Sequence, residues 1–187
     1  NQVKAEAAIP GAEMTTVSGQ QGILALVPTW VKRAVRKIEL HREDWPWMRE
    51  DASFSSSTGK SSYLPSEMSI TDHRKWDFRA AKITVEDIKY PLADGYKFID
   101  GDVSFSSTVR GQPQLIYADD NQSALKLYPV PNGIYPISLH YWKQHKVLSA
   151  DTDEPNIPER WHDAIVFEAL RSYAHYDEAP EVERMAS

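Results

Sequence analysis

The chain has 187 residues, of which 41% are hydrophobic and 26% charged, a composition that predicts one folded domain and excludes disorder as the default. It contains no cysteine, which excludes disulfide bonds and thiolate metal sites. No apolar run approaches the roughly 20 residues of a membrane-spanning helix, and the first residues lack the pattern of a secretory signal, so we expect no membrane partner.

The formal net charge of −6 is concentrated near the C-terminal end of the sequence. Residues 147–187 hold ten acidic and three basic side chains, whereas residues 1–146 hold 17 acidic and 18 basic ones. Binding to phosphates requires neutralising cations, so this acidic arm argues against contact between the C-terminal end and nucleic acid.

The N-terminal part of the chain predicts an arm followed by a helix. Residues 1–22 are small and polar and include several glycines, which favours an extended or mobile arm. A helix is predicted within residues 23–44, because Pro28 suits a first helical turn and apolar residues then recur at helical spacing. These apolar residues are Trp30, Val31, Ala34, Val35 and Ile38.

The opposite face of this predicted helix is basic, with Lys32, Arg33, Arg36 and Lys37 in two adjacent turns. One interpretation is a solvated face. The other is a functional surface that meets an acidic protein partner or nucleic acid. The sequence alone leaves both interpretations open.

Residues 52–143 predict a β-rich region of short strands and turns, punctuated by glycines. Its last part predicts a hairpin, since apolar and polar residues alternate over residues 125–128 and again over residues 135–142. The intervening VPNG sequence suits a turn. Pro129 and Pro136 cannot donate to a strand ladder, which favours an edge strand or β-bulges.

A second helix is predicted over residues 157–177, followed by a tail over residues 178–187. Its apolar residues cover an arc too broad for a lone surface helix, so we expect packing on two sides, within the domain or across a subunit interface. The candidate contacts with another subunit or a partner protein on this helix are Trp161, Ile165, Tyr173 and Tyr176. With two helices around a β-rich region, the sequence predicts an α+β fold.

The sequence contains no motif typical of a catalytic or metal-binding site. TGKSS at residues 58–62 lacks the preceding glycine of a phosphate-binding loop, and DTDEPN at residues 151–156 lacks the glycine of a calcium loop. The six histidines are scattered without metal-ligand spacing. We therefore predict no catalytic residue, cofactor or metal, although a hydrolase with carboxylates distant in the chain stays a remote alternative.

The order of several segments resembles the head-to-tail adaptor proteins of tailed bacteriophages, also called head completion or connector proteins. An amphipathic helix ends in DWPWM, SFSSSTGKSSYLP and GQPQLIY follow, and residues 125–177 combine a LYPVP strand, an aliphatic–aromatic strand and PERWHDAIVFEALRSYAHYD. The plan is similar to that of the tail tubular and gatekeeper adaptors of short-tailed phages.

This resemblance implies a single adaptor domain over residues 1–187, with a helical core of two long helices and an inserted antiparallel β-sheet region. It implies a ring of about twelve copies in the neck of the virion, assembled in the host cytoplasm. The implied partners are the portal above, a stopper or tail (nozzle) protein below, and double-stranded DNA that passes through without sequence-specific binding. The alternative is another neck or tail protein, such as a stopper, a tail-completion protein or a fibre-associated β-module.

Overall fold

The computed structural model describes residues 2–9, 16, 19–95, 108–119, 121, 123–150 and 152–177. These residues form helices and mainly antiparallel sheets, which confirms the predicted α+β class. The chain divides into a helical unit, residues 1–47 and 145–187, and a β unit, residues 48–144. That the two units form one adaptor domain stays a prediction. Among the described residues, no helix has the length and apolar character needed to span a membrane.

The helical unit contains three α-helices among the described residues. They are α1 (Gln2–Glu6), α2 (Val27–His41) and α3 (His162–Asp177). Short 3-10 turns at Gly22–Ala25 and Glu159–Trp161 precede α2 and α3. Both predicted helices are therefore present, but each is shorter at its start than the sequence suggested, because a separate 3-10 turn takes up the first residues.

The core of the helical unit lies between α2 and α3. Trp30 and Val35 on α2 and Leu170 on α3 are almost completely buried, and the rings of Trp30 and Tyr173 lie 5.6 Å apart. Trp45 closes the end of α2, where its indole N–H donates to the carbonyl of Ile38 over 2.9 Å. Burial of one apolar stripe on each helix thus accounts for the pairing of α2 with α3.

The first residues differ from the extended arm that we expected. Residues 2–6 form α1, and Val3, Ala7 and Ile9 are buried in the core of the helical unit. Val3 and Ala7 are four residues apart and so share one face of a helical turn. The composition of residues 1–22 is mostly small and polar, so this helical spacing of two apolar residues did not outweigh the prediction of an arm.

The β unit contains ten strands among the described residues. They are β1 (Arg49–Ser55), β2 (Ser62–Tyr63), β3 (His73–Val85), β4 (Ile88–Pro91), β5 (Ala93–Asp94), β6 (Arg110–Gly111), β7 (Leu115–Ala118), β8 (Leu125–Tyr128), β9 (Val130–Pro131) and β10 (Pro136–Lys143). One sheet has the order β1–β10–β3–β4 and is antiparallel, and a second has the order β2–β8–β7–β5. Strands β6 and β9 form a parallel pair.

The hairpin predicted for residues 125–142 is wrong, although both of its strands exist. Strand β8 pairs with β2 and β7, whereas β10 pairs with β1 and β3 in the other sheet. Between them, Val130 and Pro131 form β9, which pairs with β6 instead of closing a tight turn. Prolines at 129 and 131 lack the N–H groups of a hairpin ladder, so this segment carries the chain from one sheet to the other.

Alternation along these strands builds the core of the β unit. Leu125 and Leu127 on β8 and Ile137 and Leu139 on β10 are buried, while the residues between them are less so. Ile116 on β7 is completely buried in the same cluster. The period of two in the sequence therefore identified the buried faces correctly, even though it did not identify the strand partners.

A buried carboxylate ties β1 to β3 within the β unit. Asp77 receives a bidentate contact from Arg79, with Nε–Oδ1 at 2.8 Å and Nη2–Oδ2 at 2.9 Å. The Arg49 Nε lies 2.9 Å from the Asp77 Oδ2. The hydrogen bonds from Arg79 outweigh the effect of burial and lower the pKa of Asp77 from 3.8 to about 2.

We predict that Asp77→Asn weakens the β unit at neutral pH and flattens its acid sensitivity. A carboxyl whose folded pKa is depressed stabilises the fold above its ordinary value near 3.8, and this stabilisation is lost as pH falls toward about 2. Urea unfolding between pH 7 and pH 2 measures the effect, with the exposed turn variant Glu86→Gln as control. Parallel stability curves for Asp77→Asn and wild type would contradict it.

Candidate functional site

The predicted basic face lies on the exposed side of α2. Lys32, Arg33, Arg36 and Lys37 are all solvent-exposed, and residues 33, 36 and 37 are neighbours at helical spacing. Lys37 differs from the others because its Nζ lies 2.5 Å from the Glu168 Oε1 on α3. Lys32, Arg33 and Arg36 form no ion pair with any residue that the structure describes.

Helix α3 extends this positive surface in a way that the sequence reasoning missed. Arg171 Nη1 lies 3.5 Å from the Glu168 Oε2, and His175 is exposed one turn further on. Together with Lys37 and Ser172, these residues line a cavity of about 190 Å³ between the two helices. Residues 168, 171 and 175 have the spacing of one helical face, but only the packing of α3 on α2 brings them next to Lys37.

The four candidate contact residues of the second helix fall into two pairs. Ile165 and Tyr173 are buried in the core of their own unit. Trp161 and Tyr176 remain 52% and 59% exposed. Trp161 does not share the buried face of Ile165, because it belongs to the 3-10 turn and α3 begins one residue later.

An apolar recess lies beside the basic face within the helical unit. Its volume is about 340 Å³, and its walls come from α1, α2, α3 and the connector of residues 145–158 that precedes the turn Glu159–Trp161. Its apolar walls include Val27, Val31, Val35, Leu148, Ile165 and Val166. Lys32 and Asp153 also line this apolar recess, so it carries one basic and one acidic side chain.

Asp153 is fixed in place by the backbone around it. The amides of Ser149 and Ala150 each donate to its Oδ2 over 2.7 Å, and Lys146 Nζ lies 3.9 Å from its Oδ1. The hydrogen bonds from the amides of Ala150 and Ser149 lower the pKa of Asp153. The recess therefore has a fixed negative charge on one side at neutral pH, opposite in sign to Lys32.

Within the part of the chain that the structure describes, no group of three or more histidine, aspartate or glutamate side chains could hold a metal ion. We predict that the purified protein contains no stoichiometric transition metal and gains no thermal stability from nucleotides or divalent cations. Metal analysis and thermal-shift measurements check this. A stoichiometric metal, or a saturable shift with a nucleotide, would favour the hydrolase alternative.

The family model for the SU10 adaptor protein matches residues 7–187. The chain therefore belongs to the SU10 adaptor protein family, a family of phage head–tail adaptors. No curated protein matches the sequence. The resemblance to phage adaptors is thus confirmed at the level of the family, whereas the similarity to tail tubular and gatekeeper adaptors stays a prediction.

Family membership makes this chain a structural adaptor of a phage, and the family implies a place in the neck of the virion. The described surfaces agree with such a role, since their prominent features are exposed charges, exposed aromatics and an apolar recess. Exposed aromatic side chains, in particular, are enriched where proteins meet.

Proposed function

We propose that this protein forms a ring below the portal, joins the capsid to the tail and continues the DNA channel. The observation that carries the proposal is the match of an adaptor family to residues 7–187, which is nearly the whole chain. The ring has about twelve copies, with the portal above and a stopper or tail (nozzle) protein below. Assembly takes place in the host cytoplasm, and the finished ring belongs to the neck of the virion.

The distribution of apolar surface supports a ring. Trp161 and Tyr176 are large aromatic side chains that remain exposed on the helical unit. Aromatic residues are enriched where proteins meet, because they bury a large area at a small cost in conformational entropy. A contact between two different surfaces of identical subunits generates a closed ring when the rotation closes.

The basic face supports docking to an acidic protein surface. Arg33 and Arg36 are exposed and have no ion-pair partner among the described residues, so they are available to a carboxylate of the portal or of a neighbouring copy. Tight binding of phosphates would hinder DNA that must leave the channel quickly, and it would depend strongly on salt. We therefore assign the basic face to a protein partner, while DNA passes without sequence-specific contacts.

Reconstitution with the portal tests the proposal. Purified adaptor and portal from the same phage are mixed and imaged by negative staining, with portal alone as the control. We expect a ring of extra density on the tail-side face of the portal, with several adaptor copies for each portal by mass photometry. Separate adaptor and portal particles at micromolar concentrations would contradict docking and would favour another neck or tail role.

A further inference from the structure

The apolar recess of the helical unit is large enough to take an aromatic side chain. It encloses about 340 Å³. An apolar cavity of about 150 Å³ in another protein accommodates benzene, so an indole ring fits within this volume. Val31 and Leu148 in its walls are only partly buried, which leaves the recess accessible from outside.

The helical unit also presents an aromatic side chain, Trp161, that is not buried in any core of this unit. Trp161 lies in the turn Glu159–Trp161, which we call the aromatic turn, and is 52% exposed. The Arg160 Cζ lies 5.7 Å from the centre of its ring. Trp161 is not among the residues that line the recess of its own unit, although the next residue, His162, is.

The charges around the two features are complementary. The recess carries the basic Lys32 and the acidic Asp153, and the aromatic turn carries the acidic Glu159 and the basic Arg160. Neither Lys32 nor Glu159 forms an ion pair with a described residue. Complementary potentials fix the register of a contact and suppress wrong partners.

From this pairing we infer that Trp161 of one copy inserts into the apolar recess of the next copy, with Glu159 facing Lys32 and Arg160 facing Asp153. The occupant of the recess is a second copy of this chain, because both complementary surfaces belong to it. The copy that inserts its Trp161 still has an empty recess, and the copy that receives it still has a free aromatic turn. Further copies can therefore bind in the same way, and the contacts close into a ring. The inference deepens the proposed function, since it names the contact between neighbouring subunits of the ring.

The absence of cysteine from the chain allows a clean crosslinking test. Lys32→Cys and Glu159→Cys are made in two differently tagged chains, which are mixed and oxidised, both free and bound to portal. The inference predicts a mixed disulfide dimer and little product from either chain alone. In the matched control, Lys32→Cys is mixed with Phe167→Cys, which lies on the exposed side of α3, instead of with Glu159→Cys. Lack of the mixed dimer in both the free and the portal-bound protein would overturn the inference.

Two further variants test the aromatic contact itself. Trp161→Ala and the recess-filling Val31→Trp should each weaken self-association on the order of 30-fold, the effect of losing one strong interface anchor. Trp161→Ala should lower the melting temperature of the isolated protomer only modestly, because about half of this residue is exposed there. The control Phe167→Ala should behave like wild type. Equal self-association of Trp161→Ala and wild type would overturn the contact.

The outcomes separate this contact from the adaptor function. If Trp161→Ala still self-associates and caps the portal, the contact is wrong while the adaptor function stands. If wild type forms the crosslinked contact but does not cap the portal, the contact stands while the adaptor function is wrong.

Discussion

Reversing Arg33 and Arg36 to glutamate should abolish docking of the protein to the portal and stop particle assembly. Both side chains are exposed on α2, and neither has an ion-pair partner among the described residues. If they face an acidic surface, the double variant places like charges against each other at every copy of the docked protein. Such juxtaposition costs several kcal/mol per contact, enough to weaken docking by at least about a hundredfold.

The measurement scores portal docking, particle assembly and DNA retention separately. The matched control is Lys82→Glu with Lys89→Glu, which reverses two exposed lysines of the β unit. Failed docking supports the protein partner, whereas normal particles with altered DNA retention or ejection mean that the basic face meets phosphates in the channel. If none of these changes, the face is merely solvated, and its assignment to a partner is wrong.

Replacing His145 with alanine should lower the free energy of unfolding of the helical unit by about 3 kcal/mol, because it leaves a buried carboxylate without its partner. Glu39 on α2 is completely buried, and its Oε2 lies 2.5 Å from His145 Nδ1. The other carboxylate oxygen, Oε1, has no hydrogen-bond partner within the described part of the chain. The contact with His145 therefore offsets most of the desolvation cost of burying the Glu39 carboxylate.

The free energy of unfolding is measured by denaturant titration, with helix loss monitored by circular dichroism. The exposed variant His175→Ala is the control. A second variant, Glu39→Met with His145→Ala, should recover much of the loss, because an apolar side chain of similar length needs no partner. A cost below about 0.5 kcal/mol for His145→Ala, the size of an ordinary surface substitution, would show that the pair contributes little.

Local patterns predicted the helices and the buried faces of the strands. Trp30, Ala34 and Val35 have helical spacing, and all three are buried in the core of the helical unit. Likewise, the alternation around Leu127 and Leu139 identified buried positions. Such periodicity is a property of neighbouring residues, so the sequence displays it directly.

The strand partners and the surfaces could not be predicted in this way. Pairing of β8 with β7 and of β10 with β1 depends on which sheet each strand joins, and the prolines of residues 129–131 were compatible with either outcome. The Glu39–His145 contact joins residues 106 apart in the sequence. The apolar recess likewise exists only after α1, α2, the connector and α3 have packed.

Trp161 shows how a one-residue shift changes an interpretation. Helical spacing placed it on the same stripe as Ile165, and the structure buries Ile165 but leaves Trp161 exposed, because the helix begins at His162. The preceding 3-10 turn has three residues per turn instead of 3.6, so its side chains leave the stripe of the α-helix. A residue that helical spacing groups with a buried neighbour can thus remain exposed when the α-helix begins after it.

The most direct test of the adaptor role is the phenotype of phage that lack this protein. The gene is interrupted by a nonsense mutation, and particles from permissive and non-permissive hosts are compared by electron microscopy and by their DNA content, with wild-type protein supplied in trans as the control. An adaptor between portal and tail predicts heads that contain the portal but carry no tails and lose their packaged DNA. Tailed particles that retain their DNA without this protein would contradict it.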